Sequence, residues 1–172
     1  MEYFRIQQDH RVEHPKFLNP SILNNIELEK YVSCKSDISK NVMGYTTRAL
    51  IEHPTFIVAK ELKDLFSAYQ EGAQFFPFFT NDIDGKGLPY YVFRPLILDC
   101  LAEETEFTPN KSSIKKIVLD QSKIGSHKIF QIGGVLGRYL IVDLEILELA
   151  LYNGIRPFLF TPVLLSEKKE VQ

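Results

Sequence analysis

His10-Arg11-Val12-Glu13-His14 spells H-x-x-E-H, the spacing at which two histidines one helical turn apart bind zinc while the glutamate activates a water. That chemistry needs all five residues inside a helix that holds both imidazoles on one face. Pro15 follows at once, and Gln8 and Asp9 precede the run without an apolar stripe, so the segment reads as a surface loop with exposed histidines. A metal-dependent hydrolase built on His10, Glu13 and His14 is the alternative function this motif offers. Asn81-Asp82-Ile83-Asp84-Gly85 opens like a calcium loop, but Lys86-Gly87-Leu88-Pro89 follows and no closing glutamate does, so a turn stabilised by Asx side chains explains it without metal. Gly133-Gly134-Val135-Leu136-Gly137-Arg138 resembles a phosphate cradle but lacks the Lys-Ser/Thr of a P-loop and leads into a strand; a hairpin turn is expected there. Cys34 and Cys100 have no histidine close in sequence, His53 and His127 stand alone at element edges, and no G-x-S-x-G occurs. Nucleophilic catalysis finds no support in these spacings, and no cofactor is implied.

Two features point toward a protein partner. The aromatic run Phe75-Phe76-Pro77-Phe78-Phe79 carries rings on both faces of a strand whose proline implies a sheet edge or a bulge,, and apolar surface left uncovered at an edge attracts partners. Glu103-Glu104-Thr105-Glu106 is an acidic patch able to steer a basic partner. With the loop carboxylates Asp82 and Asp84, the candidate contact residues are Asp82, Asp84, Glu103, Glu104 and Glu106.

The chain that must position these groups has 172 residues, 45% of them hydrophobic and 24% charged, a globular balance that excludes a disordered chain. One α+β domain over 1–172 is expected, less regular over 1–53, with the main strand-helix-strand region at 54–165 and a frayed tail at 166–172. Twenty Lys plus Arg against 22 Asp plus Glu leave a net charge of -2, too little positive field for a nucleic-acid partner. Two distant cysteines, a start without a basic and apolar leader, and the absence of a long apolar run point to a cytoplasmic protein without membrane contact.

Tyr3 to Ile6 reads as a strand. Asn19-Pro20-Ser21 before Ile22, Leu23 and Ile26 suggests a short capped helix, and Ser33 to Tyr45 is polar and weakly patterned, as a loop would be. Phe56-Ile57-Val58 is strand-like; Leu62, Leu65, Phe66 and Tyr69 recur at helical spacing until Gly72. The aromatic run and Leu88 to Pro95 form a hairpin, and Lys116–Leu119 and Lys128–Ile132 are further strands. Leu140-Ile141-Val142 leads to Asp143 as N-cap, then Leu144, Leu147 and Leu151 at helical spacing, Gly154, and a strand from Pro157 to Thr161. The order strand, helix, glycine, aromatic strand thus occurs twice, a weak internal repeat. The expected fold is a mainly antiparallel sheet packed against two principal helices near 60–71 and 143–153.

Tyr90-Tyr91-Val92-Phe93-Arg94-Pro95 with Leu98-Asp99-Cys100-Leu101, then Ile117-Val118-Leu119-Asp120, Lys128-Ile129-Phe130-Gln131-Ile132, and Ile141-Val142-Asp143 running to Gly154 and to Phe158–Val163 resemble the DUF1629 family. This is the eleventh-numbered immunity-protein family of bacterial polymorphic toxin systems. Tyr3-Phe4-Arg5-Ile6 also fits, whereas 20–53 carry little of the likeness. The resemblance implies a small non-enzymatic protein that binds and blocks a cognate toxin domain; it supplies no catalytic residues. A domain of a larger ligand-sensing assembly is a third expectation, and it would require a small-molecule pocket.

Overall fold

The computed structural model describes residues 1–11, 16–17, 23, 32–37, 49–81, 87–156 and 158–166. In chain order these form β1 (Tyr3–Gln7), β2 (Lys16–Phe17), β3 (Val32–Asp37), β4 (Leu50–Ile51), β5 (Ile57–Ala59) and α1 (Lys60–Tyr69). The hairpin β6 (Gln74–Asn81) and β7 (Gly87–Arg94) follows, then β8 (Ile97–Leu98), β9 (Glu106–Phe107), β10 (Ile114–Lys116), β11 (Val118–Leu119) and α2 (Gln121–Ile124). The chain continues with β12 (Ile129–Ile132), β13 (Leu140–Asp143), α3 (Leu144–Tyr152) and β14 (Leu159–Leu165). It is a mixed α/β arrangement dominated by sheet, and no helix among the described residues is long and apolar enough to cross a membrane.

Two six-stranded sheets carry the fold, in the orders β11-β14-β1-β13-β12-β8 and β2-β3-β6-β7-β5-β4, with β9 and β10 as a separate pair. Neither large sheet is purely antiparallel, because β3 runs parallel to β6, β11 to β14 and β8 to β12. The single sheet expected from sequence is therefore corrected to two, each mixed but mainly antiparallel, as the sequence led us to expect of the pairing. In one, β5 and β6 flank β7 antiparallel and are joined through α1; in the other, β13 and β14 flank β1 antiparallel and are joined through α3.

The helices follow from local sequence. Leu62 and Phe66, one turn apart, are the buried residues of α1, as an amphipathic helix on a core requires. In α3 the Asp143 carboxylate accepts the Ile146 N–H at 3.0 Å, a side-chain N-cap,. At its far end Gly154 takes φ +68, and the Gly154 and Ile155 N–H groups donate to the Leu151 and Ala150 carbonyls. This C-terminal closure needs a left-handed residue, which glycine supplies without a Cβ penalty.

One face of each sheet and both longer helices meet in a central core that includes Ile6, Phe56, Val58, Leu62, Phe66, Phe93, Leu140, Val142 and Ile146. Alternation sends the intervening residues outward. Ile57 and Ala59 join Phe76, Phe78, Tyr90 and Val92 on the far side of one sheet, and Ile141 joins Tyr3, Cys100, Phe130 and Ile132 on the far side of the other,. Each sheet thus buries residues on both of its faces.

Three local expectations change. Val32–Asp37, which overlaps the start of the loop expected over Ser33 to Tyr45, is a strand pairing with Phe78–Asn81 of β6; polar, weakly patterned residues become strand when a neighbour supplies the ladder. The proline-bearing strand is internal, between β3 and β7. Among the described residues the ladder with β3 runs from Phe78 to Asn81, whereas the ladder with β7 takes in Pro77 opposite Tyr91. The strand expected over Lys116–Leu119 divides at Ile117, since Ile114–Lys116 pairs with β9 whereas Val118–Leu119 pairs with β14. The helix expected around Asn19 to Ile26 lies outside the described residues except for Leu23, which is helical and fully buried.

Burial pushes the Cys100 thiol up to about 11, so the reactive thiolate is scarce at neutral pH. In a Cys34→Ser background, Cys100 should react with a thiol reagent at about pH 8 only when denaturant is added. Rapid labelling of the native protein would show that the site opens without unfolding.

Candidate functional site

Where the two sheets meet, the end of β1, the segment joining β4 to β5 and the segment entering β13 enclose a cleft of about 490 Å³. Its polar lining comes from Arg5, Gln7, His10, Glu52, His53, Arg138 and Tyr139. Arg5 alternates outward from the central core beside Tyr3, and its guanidinium lies over the Tyr139 ring, 4.5 Å from the centroid, a cation–π contact. The ring is locked from two directions. The Tyr139 hydroxyl accepts the Ile114 N–H at 2.9 Å, and Gly137 lies so close that a Cβ there would sit 2.5 Å from ring carbon Cε2.

A reciprocal clasp joins the sheets behind the cleft. The Gln8 N–H donates to Glu52 Oε2 and the Glu52 N–H to Gln8 Oε1, each at 3.1 Å, with both residues buried. Arg138, exposed at the rim, donates from Nη1 to the Glu52 carbonyl at 3.2 Å and also to the Pro54 carbonyl. Asp9, the next carboxylate, is held bidentate by Arg11 at 2.9 Å on both arms, and that hydrogen-bonded guanidinium keeps its carboxyl below the usual carboxylate range,.

The residues expected from sequence are placed differently. His10 is exposed beside this cleft, while Glu13 and His14 lie outside the described residues. Among the described residues no three His, Cys, Asp or Glu side chains gather as a metal site. Glu103, Glu104 and Glu106 are all exposed around the turn into β9, and Glu106 meets Lys116 at a loose 3.9 Å. Asp82 and Asp84 lie outside the described residues. The stretch from Gly133 does form the β12–β13 hairpin connection, with Gly134 at φ +72, yet Gly137 and Arg138 from its end line the cleft. Glu52 and Tyr139 carry no spacing signal and Arg5 lay in a run read only as a strand, whereas His10 and Arg138 lay in runs that the sequence singled out for other chemistry.

A second surface is apolar. On β14 the alternate residues Phe160, Pro162 and Leu164 face solvent, with Phe160 46% and Leu164 53% exposed, and Phe4 of β1 meets Phe160 edge-on at 6.2 Å. The opposite face of the strand, through Val163 and Leu165, packs on the core around Cys100.

No protein-family model and no curated protein matches this chain.

Proposed function

We propose that this chain is a non-enzymatic binding protein of immunity type, which neutralises a cognate bacterial toxin domain in the cytoplasm by covering it. The observation that carries the reading is the solvent-facing apolar strip Phe160, Pro162 and Leu164. It stands on a strand braced on both sides, by β1 and β11, so it presents a rigid surface. Rigid apolar and aromatic groups ringed by polar residues are what interface centres are made of, and steric cover of a toxin needs only about 1,200–2,000 Å² of total buried surface. The resemblance of runs such as Tyr90–Pro95 and Ile141–Asp143 to the DUF1629 immunity family is the sequence-based motive for the same reading. The exposed carboxylates Glu103, Glu104 and Glu106, with Asp82 and Asp84, would steer a basic toxin toward the surface.

We also read the two strand-helix-strand crossovers as copies of one unit. In that reading β6 corresponds to β14, and the exposed Phe79 of the first corresponds to the apolar strip of the second.

The test uses the intact protein as bait in its native bacterium, followed by mass spectrometry. One partner bearing a toxin-like domain should co-elute in near-equal amount, and the Phe160→Asp/Leu164→Asp double variant should weaken its binding by at least about tenfold while keeping the wild-type melting temperature. Charge reversal of the five acidic residues should slow association and flatten its salt dependence. Recovery of the bait alone, or undiminished capture by the double variant, would refute the reading.

A further inference from the structure

The cleft between the sheets plays no part in that binding reading, and its chemistry is of another kind. Two guanidiniums converge on it, Arg5 from β1 and Arg138 from the segment entering β13, together with the imidazoles of His10 and His53. Neither arginine forms an ion pair with a carboxylate among the described residues. Arg5 spends its charge on the face of Tyr139, and its buried Nε–H has no hydrogen-bond partner among the described residues. Arg138 is anchored through Nη1 alone, which leaves the Nε and Nη2 donors of its planar fork without partners among the described residues.

The acidic groups nearby do not cancel this charge. Among the described residues Glu52 is the only carboxylate of the lining, and one of its oxygens is engaged by the Gln8 N–H; Asp9 is engaged by Arg11. Even with both histidines neutral the described lining carries one excess positive charge, two arginines against Glu52, in a chain whose net charge is -2. A buried donor left unpaired is costly, and an oxyanion is the acceptor that satisfies planar guanidinium forks best. The site is also built in advance: Ile114 and Gly137 fix Tyr139, Tyr139 supports Arg5, and two carbonyls hold Arg138. Preorganisation of this kind lowers the ordering cost of binding.

From this placement we propose that the cleft binds the phosphate group of a small phosphorylated molecule, with Arg5 and Arg138 as the charged clamp and His10 and His53 as further donors. A phosphate alone would leave much of the cleft unfilled, since small-molecule sites of about 300–1,000 Å³ hold whole ligands. Pro54 and the exposed Leu136 form the apolar side of the lining, where the organic part of the ligand would rest.

Thermal unfolding of the full chain in phosphate-free buffer tests this, with inorganic phosphate, glycerol 3-phosphate, acetate and sodium chloride at matched ionic strength as probes. Both phosphate probes should raise the melting temperature saturably, as binding to the folded state requires, with the ester at least as effective as the free ion. Arg138→Gln and Arg5→Met should each weaken apparent affinity by about tenfold or more, and Arg138→Lys less than Arg138→Gln, because lysine keeps the charge and loses the fork. Should Arg5→Met fail to fold, the exposed Arg138 decides alone. A saturable effect of inorganic phosphate without one of the ester would overturn the proposal in favour of the free ion, and an equal effect of acetate would overturn it in favour of a carboxylate. A shift reproduced by chloride, or unchanged in Arg138→Gln, would remove the site altogether.

Discussion

Replacing Phe93 by alanine is expected to cost about 3–5 kcal/mol of folding stability, the range for truncating a large buried aromatic. Phe93 is 1% exposed and lies between two other rings, stacked on Phe75 at 4.9 Å and tilted against Phe66 of α1 at 5.2 Å. Its removal deletes the group that fastens α1 to β7 and opens a void in the core shared by both sheets. Nothing nearby fills that void cheaply, because Phe75 is held by strand β6 and Phe66 by the helix. Aromatic pairs of this geometry also contribute roughly 0.5–1.5 kcal/mol each beyond area burial. Denaturant unfolding measures the effect: the midpoint should fall with little change in slope. A loss below about 1 kcal/mol would mean that the three rings do not meet as described.

Asp143 carries the second large effect. It ends β13, caps α3 through the Ile146 N–H, and is 3% exposed. Asp143→Ala should cost about 1–2 kcal/mol, the loss of a good N-cap, whereas Asp143→Asn, which keeps an acceptor oxygen, should cost less. The pair also separates in pH. Burial pushes the Asp143 carboxyl above the usual carboxylate range, with the nearby Glu145 adding to the rise and the Ile146 N–H and Lys128 opposing it,. The folded chain therefore holds this proton more tightly than the unfolded chain. The resulting contribution to stability is complete below the unfolded value of about 3.9 and is lost as pH rises through the higher folded value. Asparagine has no such proton, so Asp143→Asn should gain relative to wild type as pH climbs from about 4. Urea unfolding of both proteins across that range checks the sign; a relative loss with rising pH would show that the charged carboxylate is the better accommodated form.

Much of this architecture was legible wherever the determinants lie within a few residues of one another. The helix containing Leu62 and Phe66 declares itself by apolar spacing and ends before Gly72; the one after Asp143 announces its own cap and its glycine stop. The hairpin of β6 and β7 follows from two apolar runs around a polar turn. These signals are short-range because a helix closes its hydrogen bonds four residues back and a hairpin closes across its own loop.

Strand order and the cleft obey a different rule. Val32–Asp37 has no pattern of its own and becomes a strand only because β6 offers it a ladder. Pro77 lies inside a sheet, in β6 between β3 and β7, where the proline by itself implied an edge or a bulge,. Arg5 reaches Tyr139, Gln8 reaches Glu52 and Arg138 reaches Pro54 across 134, 44 and 84 positions of sequence. Local sequence determined the two capped or amphipathic helices and the hairpin. Tertiary structure alone decided which strands are neighbours, which prolines are tolerated and which charged side chains converge, because each of these is settled by backbone and side-chain partners that no local spacing records.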